Sequence, residues 1–172
     1  MSETAELDTQ KQLYLRISQH PGLTLSQLAE MQGISLPLAT YHVHYLKKHD
    51  LITVTKDEGT DRYFVKGEVG VKDKLFLSLF RQETLLTIVL VLLKYPGLRH
   101  KELLTYVPMS PPLLSYYLKK LVKKGIIQIQ ETGQENGYTV VHEQEIIRFL
   151  IHYEPYKIVD GISETWTDFT IK

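Results

Sequence analysis

Cysteine is absent from all 172 residues, which removes together a disulfide scaffold, a cysteine-ligated zinc finger, a thiol nucleophile and a thiol redox sensor. Net charge is absent as well: 20 basic side chains face 20 acidic ones, so no uniform field draws the chain toward nucleic acid or an anionic membrane. Long apolar runs are missing too. The most apolar stretch, Thr84 to Leu93, is ten residues, about half of the roughly 20 that cross a bilayer, and it reads as a buried helix. Met1 to Gln12 is acidic and has no apolar core of a secretion signal, so the expectation is a cytoplasmic protein with no membrane segment. No Gly-rich phosphate loop, nucleophile elbow or paired-carboxylate motif occurs, so neither catalytic residues nor a cofactor are expected, and the chain does not read as an enzyme.

The chain does have the composition of a folded globular protein, with 43% apolar and 23% charged residues. Its charges are unevenly spread. Residues 99 to 130 hold six Lys or Arg and a single acid, Glu102, whereas 131 to 172 hold three bases and eight acids, so a basic segment precedes an acidic tail.

Compared with itself, the sequence matches at an offset of 75 residues, Pro21 to Val54 against Pro96 to Ile129, without a gap. Pro-Gly-Leu at 21 to 23 recurs at 96 to 98, Leu28 as Leu103, Ser35 as Ser110, Pro37-Leu38 as Pro112-Leu113, Tyr41 as Tyr116, Leu46 as Leu121, Lys48 as Lys123 and Ile52 as Ile127. Each copy reads locally in the same way. An apolar helix (Leu13, Leu15, Ile17; then Leu85 to Leu93) stops at Pro-Gly. A short helix follows, with Leu25, Leu28 and Ala29, or Leu103 and Leu104, facing inward. After a tight break, a Ser positioned to cap the next helix leads into a third helix with proline in its first turn. The period then switches from 3.6 to 2 for a hairpin: Leu51 to Thr55 and Arg62 to Val65, then Ile126 to Gln130 and Tyr138 to Val141.

At helical spacing the third helix of the first copy buries Ala39, His42, Val43 and Leu46 and presents Pro37, Thr40, Tyr41, His44, Tyr45 and Lys48. The second copy buries Leu114, Tyr117, Leu118 and Leu121 and presents Pro112, Ser115, Tyr116, Lys119, Lys120 and Lys123. Helix, helix, tight turn, helix, hairpin, read twice, is the order of a winged helix-turn-helix. The expected fold is therefore mostly α with small β-hairpin wings: a first winged domain over 1–68, a linker helix over 69–82, a second winged domain over 83–141, and C-terminal helices over 142–172.

The stretch from Ile34 to Ile52, with Tyr41-His42, Leu46, Lys47-Lys48 and Leu51-Ile52, resembles the recognition-helix signature of ArsR-like winged-helix regulators. Asp50 stands where that pattern has glycine, which the second copy keeps as Gly125. With the Pro-Gly-Leu turns and the Arg62-Tyr63-Phe64 wing strand, nearly the whole chain resembles archaeal transcriptional regulators that carry two such domains. The resemblance implies sequence-specific binding of double-stranded DNA in which Thr40, Tyr41, Ser115 and Tyr116 meet phosphates and major-groove base edges; the outer faces add His44, Tyr45 and Lys48 in the first copy and Lys119, Lys120 and Lys123 in the second, cations that would supply the salt-dependent part of DNA affinity.

Other features pull elsewhere. Asp57, Glu58 and Asp61 surround the first wing tip, balanced only by Lys56 and Arg62, and Glu131 and Glu135 stand at the second with no base, so both tips carry the wrong sign for a phosphate field. Acidic wings fit a rival reading, a winged-helix interaction module in a transcription or chromosome complex. RNA binding fits less well, because no aromatic-lined sheet is apparent. His42, His44 and His49 suggest a metal, but their spacing does not converge on a helix and no carboxylate cluster completes the set; no metal site is expected. Two C-terminal stripes, Ile146, Ile147, Leu150 and Ile151, then Ile158, Val159, Ile162, Trp166 and Phe169, need burial, either on their own domain or, as expected here, in a homodimer.

Overall fold

A computed structural model of the chain describes residues 3–133 and 135–153. It is mostly helical, with small antiparallel sheets, and has a winged helix-turn-helix fold. It divides into two compact units, residues 1–78 and 79–172. In the first, α1 (Glu3–Gln19), α2 (Leu25–Gln32) and α3 (Leu36–Lys48) precede strands β1 (Ile52–Asp57) and β2 (Thr60–Val65), and α4 (Val71–Phe80) runs across the boundary. In the second, α5 (Glu83–Lys94), β3 (Leu98–Arg99), α6 (His100–Leu103) and α7 (Pro111–Lys123) precede β4 (Ile127–Thr132), β5 (Glu135–Val140) and α8 (Glu143–Tyr153). The third helices and both hairpin strands recur at the same 75-residue offset as the sequence repeat: 36–48 with 111–123, 52–57 with 127–132, and 60–65 with 135–140.

Local chemistry sets the boundaries. Thr24 and Gln27 form a reciprocal capping box on α2, Gln27 N–H donating to Thr24 Oγ1 at 3.3 Å and Thr24 N–H to Gln27 Oε1 at 2.9 Å. Gly33 closes that helix in the left-handed conformation, its N–H turned back to Ala29 and Glu30. Ser35 Oγ accepts from Leu38 N–H at 3.4 Å to start α3. Ser110, expected to cap α7 in the same way, makes no side-chain cap bond, although Leu113 stands where Leu38 donates to Ser35.

The hairpin of the first unit turns on two residues, Glu58 and Gly59, both at positive φ, which matches the right-handed twist of the strands. Asp50, in the place of the pattern's glycine, takes the same left-handed conformation as Gly125, at φ 61 against 71, and its carboxylate pairs with Lys66 Nζ.

One element is invisible to periodicity. Each Pro-Gly-Leu turn is also a strand. Gly22 N–H donates to the Tyr63 carbonyl at 2.8 Å, and Tyr63 N–H to the Leu23 carbonyl at 3.0 Å. In the second unit Gly97 N–H donates to Tyr138 O at 2.9 Å, and Leu98-Arg99 lengthens into β3, giving a sheet of order β3-β5-β4 with Arg99 opposite Gly137.

The first core is Leu13, Ile17, Leu23, Leu28, Val43, Leu46, Ile52, Tyr63 and Val65. Leu15 is 39% exposed, because α1 buries Gln10, Leu13 and Ile17 and Leu15 lies off that row. In the second unit α5 is buried almost all round, and Leu103, Leu114, Leu118, Leu121 and Ile127 are buried with it. α8 buries Ile146, Phe149 and Leu150, with Phe149 against Phe80 at 5.8 Å, whereas Ile151 is 72% exposed. Part of the first C-terminal stripe is thus covered within its own unit. The second stripe, from Ile158 to Phe169, lies outside the described residues.

His42 is fully buried on the core side of α3, and neither ring nitrogen has a hydrogen-bond partner. Burial pushes its imidazole pKa down, against a weaker upward pull from Glu6. The unfolded chain therefore takes up a proton more readily than the folded one. Stability is full above the ordinary histidine value of about 6.5 and is lost as pH falls from there toward the lowered folded value.

Two predictions follow from the packing. A Cβ at Gly137 would sit 2.5 Å from the Gly97 carbonyl oxygen, so Gly137→Ala should cost about 1–3 kcal/mol in urea denaturation. Gly70→Ala, with nothing within 4 Å, should stay within roughly 0.5 kcal/mol. In thermal melts from pH 7.5 to 5, His42→Leu should flatten the decline of Tm relative to wild type; an unchanged slope would show that His42 is not the group that titrates.

Candidate functional site

α3 and α7 each follow a tight turn, bury one row of side chains and turn the opposite row to solvent. The buried row of α3 is Ala39, His42, Val43 and Leu46, as the spacing requires. That of α7 is Leu114, Leu118 and Leu121, with Tyr117 half-buried rather than buried. On the outer row Tyr41 is 52% exposed and Tyr116 59%. His44, Lys48, Lys119 and Lys123 are exposed as well, while Tyr45, Ser115 and Lys120 are half-buried. All ten candidate residues therefore reach the surface at least in part, five on each helix.

Several are already engaged. Thr40 Oγ1 donates to the Leu36 carbonyl at 2.8 Å, and Ser115 Oγ to the Pro111 carbonyl at 3.0 Å, the same backward bond in both copies. Ser115 Oγ also lies 2.9 Å from His100 Nε2, which ties α6 to α7 across the turn. The ring of Tyr45 lies tilted against His49, centroids 4.2 Å apart. Glu6 of α1 hydrogen-bonds the Tyr41 hydroxyl and holds its pKa above the ordinary tyrosine value. This acid at the outer face of α3 has no counterpart in the helical spacing of α3 itself, and the sequence reading missed it.

The cations at the first wing are the two its sequence shows, and each is paired. Asp57 pairs with Arg62 at 3.3 Å and accepts from Ser78 Oγ at 2.6 Å, and Lys56 faces Asp61 at 3.7 Å. Arg62 also donates to the Gly22 carbonyl at 3.1 Å. At the second wing, where no base was expected, β3 brings Arg99 to Glu135 at 3.0 Å. Arg99 also binds Glu102 at 2.7 Å; Glu102 foremost, then Glu135, raises the guanidinium pKa, and Arg99 in turn lowers that of Glu102. Only the pairing of Pro-Gly-Leu with the wing could have signalled this, since 99 and 135 are neighbours only through β3.

His42, His44 and His49 do not converge. His42 is buried, and His44 and His49 are exposed. Among the described residues no group of three His, Cys, Asp or Glu is placed to hold a metal. No single described helix is long and apolar enough to cross a membrane.

Compared with known proteins, residues 9–62 match the model of the MarR family, a stretch from α1 into β2. An uncharacterized HTH-type transcriptional regulator of Methanocaldococcus jannaschii is 28% identical over 142 residues, 83% of this chain and 35% of that protein. The chain thus spans about a third of the length of that relative. Among solved structures, reduced HlyU from Vibrio cholerae aligns with a TM-score of 0.41 at 25% identity, covering 48% of this chain and 88% of that one. A possible HxlR family transcriptional factor from Thermoplasma volcanium aligns with a TM-score of 0.38 at 20% identity, covering 61% and 93%. The family matched over the first unit is MarR, where the recognition-helix residues alone resemble the ArsR-like signature, and the similarity is to winged-helix transcriptional regulators.

Proposed function

We propose that this chain is a sequence-specific regulator of transcription that binds double-stranded DNA through two winged helix-turn-helix domains, works as a homodimer and carries out no catalysis. The domains are residues 1–68 and 83–141, joined through 69–82 and closed by 142–172. One observation carries the reading: a helix after a tight turn, held rigid by a buried row, presents Tyr, Ser or Thr and Lys to solvent in both copies. Such a face fits the major groove, with the hydroxyls and amines on phosphates and base edges. The MarR match and the HTH-type relative support the same class of partner.

The two faces are not equal. Glu6 occupies Tyr41 on the first, whereas α7 ends in Lys119, Lys120 and Lys123, with Lys124 following. We assign most of the phosphate contact to α7, with Thr40, Tyr41, His44, Tyr45 and Lys48 of α3 secondary, and Ser115 and Tyr116 at the base edges. An apolar face left over at Ile151 is available to the dimer.

Selection of sheared genomic DNA on the purified protein, with a Tyr41→Ala/Tyr116→Ala variant beside it, should enrich a motif that the variant loses, with two half-sites about one helical turn apart. Absence of enrichment from both proteins would assign the chain instead to the protein-interaction class. Replacing Lys119 and Lys120 by Ala should weaken binding across all sequences and make the slope of log affinity against log salt shallower by about 2. A slope that does not move would return these lysines to the simpler role of complementing the α7 dipole.

A further inference from the structure

Ser115 stands half-buried on the outer row of α7, and its hydroxyl has two fixed partners within the second unit. Oγ donates to the Pro111 carbonyl at 3.0 Å and lies 2.9 Å from Nε2 of His100, the first residue of α6. A serine hydroxyl has one hydrogen to give and two lone pairs with which to receive. In either histidine tautomer that hydrogen is given inward. With a hydrogen on Nε2, His100 donates to Oγ and occupies one lone pair, while the Ser115 hydrogen stays on Pro111. With Nε2 bare, the imidazole is a second inward acceptor for the same hydrogen. What Ser115 has left for a molecule outside is a lone pair, and turning the hydrogen outward would forfeit its bond.

The first copy lacks this arrangement. Thr40 makes the same backward bond, to the Leu36 carbonyl at 2.8 Å, but the residue in the place of His100 is Leu25, whose side chain has no polar atom to hold the hydroxyl from the other side.

An oxygen that only accepts makes no hydrogen bond with a phosphate, whose free oxygens are acceptors too. On the major-groove edge of a base pair, guanine N7 and O6, adenine N7 and thymine O4 all accept; the donors are the exocyclic amino groups, adenine N6 and cytosine N4. We propose that Ser115 reads the exocyclic amino group of an adenine or a cytosine in the major groove, and that His100 is the positioning residue that keeps the Ser115 hydroxyl an acceptor. This rests on the reading of α7 as a DNA-contacting helix and adds to it the chemistry of one base contact. Each base pair carries one such amino group, on one strand, so the contact distinguishes a pair from its reverse, which phosphate contacts by the neighbouring lysines cannot do.

The test uses the full chain and duplexes of the motif that the wild-type protein selects. One adenine or cytosine at a time is replaced by purine or pyrimidin-2-one, the same base without its amino group, and affinity is measured by fluorescence anisotropy for wild type and Ser115→Ala. At one base pair of each half-site the loss should weaken the wild type about fivefold and Ser115→Ala less than about twofold, so that the pairing defect of the altered base cancels between the two proteins. His100→Leu should lower the dependence at that same base pair to less than about twofold without moving the salt slope, and His100→Gln, which retains a side-chain N–H, should restore it. A wild-type protein that selects no motif would overturn this inference together with the DNA reading. A selected motif in which no position depends on its amino group, or in which Ser115→Ala leaves every dependence intact, would overturn this inference alone, and full dependence retained in His100→Leu would overturn the role of His100.

Discussion

The backbone pairing between each Pro-Gly-Leu turn and the second strand of its wing is the constraint on which the rest of each unit depends. It joins the end of the first helix to the hairpin that follows the third, so that α2 and α3, or α6 and α7, are enclosed between two fixed points. Gly22 and Gly97 make this possible through positive φ, at 84 and 86, a conformation that costs glycine little and other residues more. In the second unit the approach is closer still, because Gly137 has no side chain to hold the Gly97 carbonyl away. In the first unit Arg62 occupies the corresponding place in the repeat and reaches the Gly22 carbonyl with its guanidinium instead.

With the ends fixed, the third helix has little freedom about its own axis. Its buried row selects its outer row, and the outer row is the surface on which the proposed function depends. The two copies share this frame and differ in what surrounds it. In the first, α1 brings an acid onto Tyr41, the ring of Tyr45 lies over a groove and a histidine without polar partners sits in the core. In the second, α6 brings His100 to Ser115, and the helix ends in lysines. A duplicated frame with diverged surroundings suits two different tasks, and the assignment of DNA contact mainly to α7 follows that division.

The helical faces were legible in residue order because burial in a helix follows a 3.6-residue period that any apolar row reveals; Ala39, Val43, Leu46, Leu114, Leu118 and Leu121 fall where that period puts them. Leu15 lies off the row that meets the core, since apolarity alone does not say which of two neighbouring rows that is. Ser110 shows a different failure: the residue type is right for a cap, but its side chain makes no cap bond. The second wing was read as lacking a base because charge along a strand says nothing of a cation delivered from another segment, here Arg99 to Glu135.

Residue order alone thus settled the repeat, the element types and the core rows of the third helices, because each depends on propensities and periodicities that act within a few turns of chain. It did not settle which polar groups meet. Glu6 with Tyr41, His100 with Ser115, and Arg99 with Glu135 are products of packing, since hydrogen bonds and ion pairs depend on ångström-scale proximity between segments that local rules leave unconnected. For that reason the fold could be read before the structure, while the electrostatics of the candidate site could be read only after it.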